Sequence, residues 1–507
     1  MAGRPSGPIV RSLPTPFSGL VQSVPAHQAP NTSGTIVKNC YFSMGSLRTR
    51  PGFTKASNSP GLPSDPAFLE MPVGIGWANT INGNFDVYVC GTTNLWRLRG
   101  GTGSWTDISG AVTLTVTATD RARWTALYNK ATDQTAFMFA TGTDPLVRSL
   151  DGGNFAAVTG VDNGQDICTV AARAMQAFLP NRIQWSDIYG SGTWPSLNFY
   201  YAADTPGKIV ALRPLGTLGV AIYKEDSIIV GYSQPGSPAA AFRFETRVQR
   251  PGPASKNAVV DAEGMHYYMT PRGRIAAFDG TNFAWIGDGF WPFMFDPTDG
   301  FDFFNAYQTT GFYDPSRGIV VFIYPRISEN GDGPTGIAIV TLPHPEWGVT
   351  SYGVWPGILS WPVASATHVF YASGQFGLVC RKLTPYMVDY FDYTSLTDEG
   401  TAFPCRFVSS LQSMPEVNKV DIEAFLRRSS GYGTATMSAV TSYVLGAYPG
   451  TSSAAQTIDL ENTGLVRDPK GYNASGRFVG LDLNWTSDTG TVIYDGALVT
   501  GYAVEGG

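Results

Sequence analysis

Histidine, cysteine and paired carboxylates are the side chains that most often carry chemistry, so their spacing is informative first. The four histidines are His27, His266, His344 and His368, and no two lie at a metal-ligand spacing. There is no H-E-x-x-H, no G-x-S-x-G, no Walker loop and no G-x-G-x-x-G in a βαβ setting. The cysteines, Cys40, Cys90, Cys168, Cys380 and Cys405, are odd in number and far apart, with no C-x-x-C. They form neither a zinc site nor a disulfide framework, and they fit assembly in a reducing cytosol. One stretch, 261–283, gathers His266, Arg272, Arg274 and Asp279, but on a pattern that reads as a hairpin. Met265 to Met269 and Arg274 to Phe278 are joined by Pro271-Arg272-Gly273, and Asp279-Gly280 turns the chain again. Asp-Gly supplies the positive φ of a tight turn, so Asp279 reads as a turn device. The expectation is a protein that is not an enzyme and needs no metal or cofactor.

Two binding chemistries need weighing. Ser149-Leu150-Asp151-Gly152-Gly153-Asn154-Phe155 is similar to the S-x-D-x-G-x-T-W box of sialidases, but it is one residue short and occurs once. Glycoside hydrolysis needs a carboxylate pair, or a tyrosine nucleophile, close in space, and no motif picks one from the 40 acidic residues. A nucleic-acid groove would show an excess of Lys and Arg interleaved with rings. Here the net charge is −6, and the rings sit beside Gly and Pro, where they read as core and turn caps.

The elements that position these residues are short strands. Gly 58 and Pro 35 mark frequent turns, while 13% aromatic residues supply a core. A hairpin, a Gly turn and an aromatic recur along the chain: 85–98, 136–150, 175–185, 220–231, 265–278, 318–342 and 368–381. The mean spacing of about 46 residues matches the blade repeats of propellers, which run about 40–50. The hairpins are expected to be the inner strands of about six to seven blades. The fold class is therefore all-β: an irregular β-propeller over 61–395, then a β-sandwich-like domain over 396–507. The latter is signalled by the alternation Val420, Ile422, Ala424, Leu426 and again Val479, Leu481, Leu483, Trp485.

Residues 1–60 differ. They hold Arg4, Arg11, Lys38, Arg48, Arg50 and Lys55 with no Asp or Glu, so the acidic excess lies entirely in the rest of the chain. Repeated prolines keep much of the segment extended. It is expected to be a docking arm that needs a partner surface, and its deletion to leave the propeller folded. Only 15% of residues are charged, which suits surface buried between subunits. No signal peptide is seen, and the longest apolar runs, such as Ile319 to Tyr324, are too short to span a bilayer.

Several segments resemble, in order, a family of phage tail proteins. Arg48-Thr49-Arg50-Pro51-Gly52-Phe53 resembles its R-x-R-P-G-F segment, and Arg182-Ile183-Gln184-Trp185-Ser186, then Gly192-Thr193-Trp194, its R-x-x-W-S…T-W stretch. Lys208 to Leu212, Tyr223 to Ile228 and Gly273 to Gly280 follow in the family's order, and Asp398-Glu399-Gly400 with Arg406 resembles the join to its C-terminal β domain. The family is the tail nozzle, or DNA-stabilising tail accessory protein, of short-tailed bacteriophages. The resemblance implies a structural virion protein in a homo-hexameric ring below the portal and its adaptor ring, alongside tail fibre or spike proteins. It extends the DNA channel, retains the packaged genome and opens for ejection. Duplex DNA passes without sequence-specific binding. The resemblance further implies assembly in the host cytoplasm and residence in the virion tail. The alternative is a tail-tip receptor- or carbohydrate-binding propeller, less readily a glycosidase. The expected signature and docking residues are Arg48, Arg50, Pro51, Gly52, Phe53, Arg182, Trp185, Ser186, Trp194, Gly273, Asp279 and Gly280.

Overall fold

The computed structural model describes residues 8–55, 70–100, 105–117, 119–234, 241–329, 331–347, 351–371, 374–384, 386–392, 395–398, 400–428, 434–443, 451–460, 466–487 and 492–503. Among them there are strands and short 3₁₀ turns and no α-helix. Seven sheets have four antiparallel strands each, and a further sheet has twelve. The first strands of the seven are Gly74–Asn79, Arg123–Asn129, Asp166–Val170, Ile209–Leu215, Val259–Ala262, Thr310–Asp314 and Val363–Tyr371. Each of these packs beside the next, and Val363–Tyr371 packs beside Gly74–Asn79. The ring is closed: the chain folds as a seven-bladed β-propeller.

The recurring hairpins all fall on this ring, one per blade. In the first six blades they are the second and third strands, such as Met265–Met269 with Ile275–Phe278 in blade 5. They are not the inner strands expected. Second and third strands are flanked on both faces by neighbouring blades, so they read as apolar runs with clean turns. Ile319–Pro325 and Pro334–Thr341 are buried at every position. The inner strands border the channel, carry polar residues, and so give a weaker pattern.

In the seventh blade the hairpin supplies the first two strands, and the reason corrects the expectation for the N-terminus. The outer strand of this blade is Gly52–Lys55, paired antiparallel with Val388–Asp392. The ring is therefore closed by a strand from near the start of the chain. Residues 9–49 are likewise in place: Ile9–Leu13 pairs with Val492–Ala503, Gly34–Lys38 with Pro404–Ser409, and the hairpin Cys40–Ser43/Ser46–Thr49 with Val492–Ala503. The segment read as an arm awaiting a partner finds its surface within its own chain. Tyr41, Phe42, Leu47 and Phe53 are buried there.

The twelve-stranded sheet folds back on itself. Gln412–Arg428 pairs with Gly476–Thr486 at its start and with Val492–Ala503 and Val466–Tyr472 further on, with a register shift between Ser413 and Val417. The alternating residues Val420, Ile422, Ala424 and Leu426 meet Val479, Leu481, Leu483 and Trp485 in one core. Across it, Phe407 and Tyr494 lie with ring centroids 5.5 Å apart. That core runs without a break into blades 5 to 7 through Trp355, Phe312 and Phe391, so propeller and C-terminal sheet share one interior.

Candidate functional site

The expected signature residues occupy three separate places. The first is the junction of propeller and C-terminal sheet. Arg48, half-buried, sits on Ser46–Thr49 opposite Tyr41 and Ile493. Arg50 follows, fully buried. Its Nη1 and Nη2 donate to the two oxygens of Asp398 at 3.0 and 2.8 Å. Nε donates to Asn39 Oδ1 at 3.0 Å, and the remaining hydrogens go to the carbonyls of Pro51 at 2.9 Å and Ile358 at 2.8 Å. The guanidinium lies 3.7 Å from the Phe403 ring centroid. Asp398 also accepts from Ser360 N and Oγ, each at 3.0 Å. One planar fork thus ties the N-terminal strands, blade 6 and the entry to the C-terminal sheet, which is work a guanidinium does and an ammonium does not.

Pro51 leads into the closing strand, whose Gly52 N donates to Ser395 O at 2.8 Å. A Cβ on Gly52 would stand 2.1 Å from the backbone oxygen of Thr397. Gly52→Ala is expected to destabilise the protein by about 1–3 kcal/mol or more, because the obstacle is main chain. An unchanged denaturation midpoint would count against this close approach. Phe53, fully buried, packs on Phe391 and Trp361 with centroids at 5.0 and 5.5 Å.

The second place is blade 3. Arg182 pairs with Asp162 at 2.9 Å at the surface. Trp185 packs edge-on against Phe242 of blade 4 at 5.2 Å, while Trp194 joins the apolar cluster shared with blade 2. Ser186, fully buried, accepts from Ala174 N at 3.0 Å and donates to Asp187 O at 2.9 Å. The third is blade 5, where Gly273 (φ 69°) and Gly280 (φ 96°) are turn residues. Asp279 accepts from Thr281 N at 2.8 Å and Asn282 N at 2.6 Å. Partial burial works to raise its pKa, but the bond from Asn282 Nδ2 at 2.8 Å together with these backbone bonds outweighs that and holds the carboxyl below its ordinary value. The three groups do not converge, and each performs architectural work where it stands.

The other chemical candidates have local explanations. The box-like Ser149 to Phe155 is the turn after Val147–Leu150 in blade 2. Ser149 Oγ donates to Gly153 O at 2.6 Å, and Asp151 Oδ1 accepts from Thr135 N at 2.8 Å. Arg99 of blade 1, held by Asp86, donates to Asp151 O at 2.6 Å, so the turn fastens two blades. All five cysteines are free and buried, and burial pushes the thiols of Cys40 and Cys168 up to about 12. Thiols so displaced are not nucleophilic at neutral pH. Among the described residues no three His, Cys, Asp or Glu side chains gather as metal ligands. No helix among them is long and apolar enough to cross a membrane.

His266 is buried between Tyr223 OH and Pro214 O, each at 2.8 Å from a ring nitrogen. Burial lowers its pKa from 6.5 to about 4, against the opposing hydrogen bond to Pro214. Between those values the unfolded chain takes up a proton that the folded chain refuses. The contribution is complete above about pH 6.5 and is lost as pH falls towards 4. Its size is on the order of 3 kcal/mol. The melting temperature of His266→Gln is expected to depend less steeply on pH in this window than that of the wild type. Parallel curves would refute the assignment.

Sequence reasoning missed a set of charges around the propeller channel. Arg121, Asp166, Arg213 and Lys256 come from the inner edges of blades 2 to 5, one from each. Arg213 Nη1 meets Asp166 Oδ2 at 3.0 Å with both side chains buried, and Arg213 Nη2 donates to the Lys256 carbonyl. The available signal was charged residues recurring at the blade period. A cavity of about 840 Å³ opens at this end of the channel. It is lined where the innermost strands of five consecutive blades begin, by Arg121, Gln165, Ile209, Lys256 and Tyr307.

No protein-family model and no curated protein matches this chain. Among solved structures it is similar to a chain of the mitotic checkpoint complex, at 10% identity and TM-score 0.39, over 68% of this chain and 96% of that one. It is similar to YCF48 from Cyanidioschyzon merolae at 12% identity and TM-score 0.39, over 67% and 98%. An exo-β-1,3-galactanase from Phanerochaete chrysosporium, solved with galactose, covers 84% of this chain and 95% of its own at 9% identity and TM-score 0.27. Likenesses at this level carry no functional argument, and the propeller stands on its own strand pairing.

Proposed function

We propose that this chain is a structural protein of a phage tail, the nozzle subunit that extends the DNA channel below the portal and adaptor. In this reading it acts by assembly, as a homo-hexamer, and not by catalysis. One observation supports it above the others. The R-x-R-P-G-F segment through which the chain resembles that family is the piece that closes the propeller and locks it to the C-terminal sheet, through Arg50–Asp398 and Phe53. A subunit that retains a genome under load needs such a closure. Large apolar side chains left in solvent, Phe304 at 96% and Leu197 at 85% exposed, suit burial by neighbouring copies. Single-particle imaging is expected to show a six-fold ring with an axial opening of roughly 20 Å or more, the width of a B-form duplex with its grooves filled. A stable monomer in intact particles would overturn the proposal.

The alternative reading, a receptor- or carbohydrate-binding propeller at the tail tip, rests on Phe199 and Tyr201. They are exposed, 5.3 Å apart, and Tyr201 lies at the cavity mouth. A glycan array that retains no sugar would remove it.

A further inference from the structure

The fourth strand of each blade forms the rim of the propeller, and its outer side is an open sheet edge unless something covers it. Folded proteins keep such edges short, cover them or charge them against pairing. In blades 1, 2, 3, 5 and 7 this strand has two to four residues. In blade 6 it has six, Gly353–Ile358, and the N-terminal chain covers it through the Gly19–Val354 bridge and the bond from Asn39 N to Pro356 O at 3.1 Å. Blade 4 differs. Its fourth strand, Phe242–Val248, has seven residues, and among the described residues no strand pairs with its outer side.

The ladder within the blade fixes which backbone groups are open. Gln234 N donates to Ala241 O at 2.9 Å, and Ser233 stands opposite Phe242. Ala241, Arg243 and Glu245 therefore bond inwards, to the strand Ile228–Ser233. The N–H and C=O groups of Phe242, Phe244 and Thr246 point outwards. Side chains alternate between the two faces. Arg243, Glu245 and Arg247 share one face, where Glu245 pairs with Arg243 at 2.8 Å and with Arg247 at 2.7 Å. On the other face Phe244 stacks on Tyr200 of blade 3, with centroids 4.0 Å apart.

We propose that this edge pairs with the same edge of a second copy of the chain, antiparallel about a two-fold axis at Phe244, so that two blades become one continuous sheet. This register sets Phe242 of each copy opposite Thr246 of the other, and the two Phe244 residues opposite each other. All three outward-pointing residues then find backbone partners. The same register sets Arg243 of each copy opposite Glu245 of the other, at the positions without backbone bonds, where facing side chains come closest. Centring the pairing on Arg243 or on Glu245 would instead set like charges directly opposite, which destabilises a strand pair. Charge on an edge ordinarily resists pairing, but the alternation of sign makes this edge complementary to itself. A two-fold contact uses one patch on both copies. It is separate from the head-to-tail contacts of a cyclic ring, so it does not rest on the function proposed above.

The test is the mass of the full chain in solution, by sedimentation velocity over a concentration series. The wild type is expected to pass from the 54.4 kDa chain to a species of twice that mass. Arg243→Glu and Glu245→Arg each place two like-charge pairs in the contact. Each alone is expected to raise the dimer dissociation constant about tenfold or more. Mixed in equal amounts the two variants are complementary again, and the dimer is expected to return. Thr246→Pro removes an outward N–H that the blade itself does not use, so it should melt like the wild type and stay monomeric. If Thr246→Pro does not fold, the two charge variants carry the test. A wild type that is monomeric at every concentration overturns the pairing and leaves the edge to a strand of another protein. An assembly whose mass no variant changes, or a mixture of the two charge variants that stays monomeric, overturns it as well.

Discussion

Arg50→Met is expected to lower the unfolding free energy by about 3–5 kcal/mol, the cost of leaving a buried charge without its partner. The abandoned charge is Asp398, fully buried, which among the described residues keeps Ser360 N and Oγ. Asn39 Oδ1 and the carbonyls of Pro51 and Ile358 lose their donor at the same time. Total stabilities are typically about 5–15 kcal/mol, so the variant is expected near the edge of folding. Arg50→Lys should recover only part of the loss, since one ammonium cannot fill five acceptor directions. The pair Arg50→Met/Asp398→Asn should be milder than Arg50→Met alone, because the orphaned charge is gone. Urea midpoints of the four proteins test this, and an Arg50→Met protein with a native midpoint would sink it.

Removing residues 1–55 should have a larger effect: no soluble, cooperatively folding protein. The deletion takes away the closing strand of blade 7 and four strands of the twelve-stranded sheet. Burial of Tyr41, Phe42, Leu47 and Phe53 is lost with it. At about 1.5–3 kcal/mol for each large apolar side chain, their sum alone is comparable to the whole stability of a domain. Val388–Asp392 and Val492–Ala503 would also become open strand edges, which template aggregation. Removing only residues 1–13 takes one edge strand, Ile9–Leu13, and should be tolerated far better. Soluble yield and near-ultraviolet circular dichroism read both outcomes. A 56–507 fragment with native melting would show that the closure is dispensable. This reverses the expectation drawn from the N-terminal sequence, in which the propeller folds without that segment.

Much of the ring was legible in the sequence because its signals are local. An apolar run, a turn with Gly at positive φ and a second run are encoded within about twenty residues, and 265–278 shows all three. The alternation of Val420 to Leu426 likewise needs only the period of a strand. Asp279 could be read as a turn residue for the same reason.

Tertiary structure alone decided the rest. The strands within residues 9–55 have four or five residues each, too short to show a period, and apart from the hairpin Cys40–Ser43/Ser46–Thr49 their partners lie hundreds of positions away. No local pattern pairs Arg50 with Asp398 across 348 residues, or tells a docking arm from a closing strand. The charges at the channel are of the same kind. Asp166 and Arg213 are unremarkable one by one, and they meet because the first strands of adjacent blades pack side by side around the closed ring. Side-chain periodicity fixes which residues a strand buries. Which strands meet depends on closure of the whole chain, and that is where the joint and the charged mouth of this protein arise.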